Sequence, residues 1–121
     1  DYFQGMFTTA LEPGEIITEV RFPIPERAHY AKFAQPASRF PLCGVFVAKF
    51  PSGVRVAVTG ASEEGVFRWR EAEAALAVDF RKEALEGLAV EADGMIGDLH
   101  GTPEYRAHLV KVMTGRAVAA A

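Results

Sequence analysis

The 121 residues hold a single cysteine, Cys43, and that scarcity excludes an intrachain disulfide and a thiolate metal cluster. A lone thiol suits a reducing compartment, so a cytoplasmic location is expected. Positive charge is not in excess either: 13 Lys and Arg stand against 16 Asp and Glu, a net charge of -3. No basic patch recommends nucleic acid as a partner. No apolar run is long enough to cross a bilayer, and no signal-peptide pattern is recognised. The glycines do not follow a strand and open a helix in the order that a phosphate loop or dinucleotide fingerprint requires, and there is no nucleophile elbow. Internal repeats are absent, and the alanine tail is the one biased run.

What is present is an ordinary globular balance, with 50% of residues hydrophobic. The length predicts one domain over 1–121 with a modest two-layer core. The Pro13-Gly14 pair marks a turn. From 16 to 22 the residues alternate, with Ile16, Thr18, Val20 and Phe22 on one face and Glu19 and Arg21 on the other, which predicts a half-buried strand. Pro23 and Pro25 end it. A shorter strand is expected over 30–34, then an irregular stretch over 35–44 broken by Pro36, Pro41 and Gly44. The clearest hairpin pairs 45–50 with 54–60 across Pro51-Ser52-Gly53, with Phe46 and Phe50 expected on its covered face. A polar loop is expected over 60–65.

The second half changes period. Ala72, Ala75 and Leu76 predict a helix over 70–78, and Ala84, Leu85 and Leu88 a second short one over 81–88. The last helix is expected from Thr102 as N-cap, with Pro103 in its first turn and Glu104 near its positive end. Tyr105, Leu109, Val112 and Met113 make its apolar stripe. Strands first and helices second give an α+β fold: a three- or four-stranded antiparallel sheet followed by three helices on one face.

Few residues carry chemistry. His100, Glu104 and His108 have helical metal-ligand spacing, but Gly101, Thr102 and Pro103 start the helix after His100 and remove the first ligand from the set. Cys43 has no evident histidine partner and reads as a small buried hydrophobe. Ser38 and Arg39 place hydrogen-bonding capacity and a fixed positive charge in an exposed loop. Arg39 can engage a phosphate or carboxylate bidentately, or simply join a surface ion pair with an acid such as Glu19. No catalytic residue and no metal site emerges from the residues alone.

One resemblance runs along nearly the whole chain. Its marks are Phe7-Thr8-Thr9-Ala10-Leu11 with Glu15-Ile16-Ile17-Thr18-Glu19-Val20, then Pro36-Ala37-Ser38-Arg39, then the run from Val54 to Ala61. Further on come Glu71-Ala72-Glu73-Ala74-Ala75-Leu76, Asp98-Leu99-His100-Gly101 and Tyr105-Arg106-Ala107-His108-Leu109-Val110. In order and spacing these resemble the C-terminal domain of the FAD-binding medium subunit of the carbon monoxide dehydrogenase and molybdenum hydroxylase family, which includes xanthine dehydrogenase. The resemblance implies the β(3,4)-α(3) arrangement already expected. It implies a parent subunit that holds FAD, mainly through N-terminal domains, and receives electrons from iron–sulfur clusters in a small subunit. A large molybdenum subunit would oxidise the substrate.

On that reading, residues 1–11 resemble the linker from an FAD-binding domain. Tyr2-Phe3-Gln4-Gly5 also resembles a protease-tag scar before Met6, but Asp1 replaces the leucine that such a scar carries. The resemblance puts Gln35, Ser38 and Arg39 in a flavin-side loop, with FAD not expected to bind tightly to this chain alone. Some relatives have a lysine near the position of Gln35, and many have Asp-Ile-Ala where this chain has Leu42-Cys43-Gly44. Ile96 stands where a polar residue is expected. The alternative is a stand-alone binding or scaffolding domain that reuses the fold. Neither reading fixes a substrate or an electron acceptor.

Overall fold

The structure is a computed structural model that describes residues 2–5 and 7–121. A small antiparallel hairpin, β1 (Phe3–Gly5) and β2 (Thr8–Thr9), comes first. An extended stretch leads from it to the main sheet. That sheet is a four-stranded antiparallel meander of β3 (Arg27–Ala34), β4 (Pro41–Phe50), β5 (Gly53–Ser62) and β6 (Gly65–Arg68), ordered in space as in sequence. Helix α1 (Arg70–Val78), a single 3-10 turn (Lys82–Leu85) and helix α2 (Pro103–Ala120) follow. Helix α1 packs on β5, and α2 on β4 and β3.

The period of two decides which residues become core. In register, Ala31 faces Val45, Val45 faces Val58, and Val47 faces Val56. Val45, Val47, Val56 and Val58 are fully buried with Leu76 of α1 and Val110 of α2. β-branched valines suit this pleated, covered face. Glu73 ties α1 to the sheet: its carboxylate accepts from the Val56 N–H at 3.0 Å and from Arg68 Nε at 2.7 Å. Burial alone would raise the Glu73 pKa, but the Arg68 and Val56 hydrogen bonds hold it below the usual glutamate range.

The hairpin expected over 45–50 and 54–60 forms and is longer at both ends. Gly53 closes its turn at φ +132°. The N-terminus of α2 is also as expected. Thr102 Oγ1 accepts from the Tyr105 N–H at 3.2 Å, and Pro103 opens the helix.

Several expectations are corrected. There are two α-helices, not three, among the described residues. The segment over 81–88 forms only a 3-10 turn over Lys82–Leu85, which ends where Glu86 turns extended at ψ +134°. Gly87, at φ +81°, follows in the left-handed region, so the helix does not resume. Ile16, Thr18, Val20 and Phe22 do not form a strand but lie in exposed extended chain. β4 begins at Pro41, inside the stretch expected to be irregular, and β5 and β6 occupy much of the expected 60–65 loop. Phe46 is 44% exposed, so the covered face is the Val45–Val47 face and not the Phe46 face. Tyr105, placed in the apolar stripe of α2, is 41% exposed, and Arg106 and Ala107 are buried instead.

The two faces make a direct comparison possible. Leu76→Ala removes a side chain with no exposed surface and is expected to cost about 2–5 kcal/mol in denaturant melts. Phe46→Ala in the same measurement is expected to cost less than about 1 kcal/mol. Equal losses would show that the sheet is covered on both faces.

Candidate functional site

The chain between β3 and β4 turns tightly. The Gln35 N–H donates to the Phe40 carbonyl at 2.8 Å, and the Arg39 N–H donates to the Gln35 carbonyl at 2.8 Å. Gln35 Oε1 accepts from the Ser38 N–H at 2.6 Å and from Ser38 Oγ at 3.0 Å. Ser38 Oγ in turn accepts from the Phe40 N–H at 3.3 Å. Gln35 therefore spends its acceptor on holding the loop, while its amide nitrogen has no partner among the described residues. Arg39 sits at φ +61°, a left-handed conformation that is uncommon for a side chain of its kind. Lys32 Nζ donates to the Arg39 carbonyl at 3.3 Å.

A second turn faces this loop. Asp98 and Gly101 pair across it at 3.1 and 3.2 Å, and Asp98 Oδ1 accepts from the His100 N–H at 2.9 Å. The His100 N–H and then the Arg106 guanidinium lower the Asp98 pKa, although desolvation opposes them.

Arg106 of α2 joins the two turns from below. It is 3% exposed. One terminal nitrogen donates to the Leu42 carbonyl at 2.7 Å and the Gly60 carbonyl at 3.0 Å, and the other to Asp98 Oδ2 at 2.7 Å. Its Nε is buried without a partner among the described residues. Above it lies an open cleft of about 350 Å³. Gln35, Ser38, Ile96, Asp98 and His100 are among the residues that line it, with Arg106.

Of the three loop residues singled out in the sequence, Gln35 and Ser38 reach this cleft, and Arg39 is exposed and does not line it. The Glu19 carboxylate pairs with Arg21 rather than with Arg39, whose guanidinium has no partner among the described residues. Ile96, odd as a loop residue, lines the cleft as an apolar wall. Arg106 was missed. The available signal was its position four residues before buried Val110 and eight before buried Thr114, on the inner face of the helix.

His100 stands in the turn before α2, and His108 lies on the helix. No group of three His, Cys, Asp or Glu side chains able to hold a metal occurs among the described residues. No described helix is long and apolar enough to cross a membrane. Cys43 has no exposed surface, and burial pushes its thiol up to about 12, with Arg106 opposing.

The architecture is that of an α+β domain in which a hydrogen-bonded loop and a buried arginine frame a shallow cleft of mixed polar and apolar lining. The chain is 33% identical to the nicotine 6-hydroxylase medium subunit of Paenarthrobacter nicotinovorans, over 98% of its own length and 45% of that protein's. It is 27% identical to the carbon monoxide dehydrogenase medium chain of Afipia carboxidovorans, over the same 98% and 45%. The resemblance read from the sequence is thus borne out: the chain is a homologue of medium subunits of these oxidoreductases, and spans less than half the length of each. No protein-family model matches it, and no solved structure matches it significantly.

The Cys43 environment has a pH signature. A thiol pKa raised in the folded state contributes stability that is fully present below the unfolded value and is lost as pH rises toward the folded one. The urea midpoint is expected to fall between about pH 9 and pH 12, and Cys43→Ala to flatten that decline. Identical slopes for the two proteins would remove Cys43 from the account.

Proposed function

We propose that this chain is the C-terminal domain of an FAD-containing medium subunit of a molybdenum hydroxylase. The observation that carries this reading is the match along 98% of the chain to two medium subunits. The two relatives are named for different substrates, so a shared domain does not choose between them, and the substrate is left to the molybdenum-bearing large subunit. The partners on this reading are the FAD-binding region of the same subunit, an iron–sulfur small subunit and the large subunit. FAD, when bound, would take up electrons passed from the iron–sulfur clusters.

This chain's contribution would be positional. The loop that holds Gln35, Ser38 and Arg39 offers unpaired donors, the Gln35 amide and the Arg39 guanidinium, to the acceptor edge of a ring system. A cleft of about 350 Å³ suits one edge of a flavin rather than the whole cofactor. With Gln35 neutral, a positive charge on this loop would come from Arg39, which lies beside the cleft rather than in it. The strained φ of Arg39 accords with a residue held in place for contact.

The test is Arg39→Ala in the full subunit. Flavin retention and electron transfer to an artificial acceptor are both expected to fall, with the melting temperature unchanged. If both rates and retention match the parent, the loop is ordinary surface. The isolated chain is expected to show no saturable FAD binding at low micromolar concentration in a flavin fluorescence titration.

A further inference from the structure

The chain between the small hairpin and β3 carries an exposed alternating apolar set and joins no strand ladder among the described residues. Ile16 is 81% exposed, Val20 60%, Phe22 83% and Ile24 92%. Among the described residues, no backbone hydrogen bond forms between the Glu15 N–H bond to Glu12 and the Glu26 N–H bond to Lys49. A solvated linker has no use for alternating β-branched and aromatic side chains, whereas a strand with one covered face requires them. The opposite face fits water: Glu19 and Arg21 pair there.

The segment joins no strand ladder among the described residues. Pro23 and Pro25 fix φ and favour extended backbone at Phe22 and Ile24, and the edge strand β3 has β4 as its one ladder neighbour among the described residues. The small hairpin adjoins β6, while β3 is the opposite edge, so the segment's two ends stand at opposite edges of the sheet. One face of the sheet is filled by helices. The other carries Tyr30 and Phe46, each 44% exposed, and Val66, 37% exposed. Lys32 and Arg55 flank these aromatics on the same face, and exposed aromatics rimmed by charge mark an interaction surface.

Resting on the medium-subunit reading, we propose that residues 16–22 are a β-strand whose ladder partner is a sheet edge in the remaining part of the subunit. The same body covers the outer sheet face at Tyr30 and Phe46. The relatives supply the room for it: the aligned region is 45% of their length, and the rest lies outside it. One partner that meets both surfaces would satisfy the idle backbone groups and bury the alternating side chains together.

Hydrogen–deuterium exchange with mass spectrometry tests this on the chain alone, at two concentrations, and on the full-length subunit. In the chain alone, the amides of 16–22 should exchange at free-peptide rates. In the full subunit they should slow by about a hundredfold or more. Val20→Pro should abolish that protection while leaving the melting temperature of the chain alone unchanged. Phe46→Ser should weaken it with the fold intact. Protection in the chain alone overturns the proposal, and a concentration-dependent form of it would assign the strand to a second copy. Free-peptide exchange in the full subunit overturns it as well. Co-purification with iron–sulfur and molybdenum subunits tests the underlying reading separately. Assembly without protection sinks the strand alone, and protection without assembly sinks the hydroxylase reading alone.

Discussion

The guanidinium of Arg106 is the constraint around which one end of this domain is arranged. It is buried, and a buried cation is tolerable only when its donors are met. Three separate segments meet its two terminal nitrogens: the start of β4 through Leu42, the bend of β5 through Gly60, and the 98–101 turn through Asp98, with Nε left unpartnered among the described residues. Backbone must approach closely for this to happen. A Cβ at Gly60 would lie 2.3 Å from the Pro41 carbonyl oxygen, and its φ of +79° is itself glycine territory. Arginine is better suited here than lysine, because its planar fork serves several acceptors at fixed angles. The cleft is therefore no accident of a loose loop; its floor is pinned from inside the core.

Much of the sheet was legible in the sequence because its signals are local. Alternation over 45–50 and 54–60 with glycine in the turn needs no distant information, and Thr102-Pro103-Glu104 declares a helix start by itself. Alternation does not say which face is covered. Val45 and Val47 and, against them, Phe46 and Phe50 are both apolar sets, and size favoured the wrong one. The choice is made by α2, far along the chain.

The other misreadings have the same origin. The pattern over 16–22 states a capacity to pair, and the partner is what decides whether a strand exists. The Ala84, Leu85 and Leu88 pattern is real, since Leu85 is buried and Ala84 and Leu88 pack against the core, but a single 3-10 turn satisfies it. Arg106 escaped because charge on a helix ordinarily means solvent. Only its phase with Val110 and Thr114 opposed that presumption. In the loop, Gln35 and Ser38 line the cleft, and nothing in the sequence foretold that Gln35 would turn its side-chain carbonyl inward to close the loop.

The order of the elements has a kinetic meaning. Every strand of the main sheet pairs with its neighbour in sequence, so the meander can assemble as the chain leaves the ribosome, with short loops to close. The helix that covers β3 and β4 is the last element of the 121 residues. Until it is synthesised, the inner face of those two strands, with Ala31, Phe33, Val45 and Val47, is open to water and to other nascent chains. Completion of the fold thus waits on its final turns, and a ribosome that stalls within them leaves behind a sticky, half-roofed sheet.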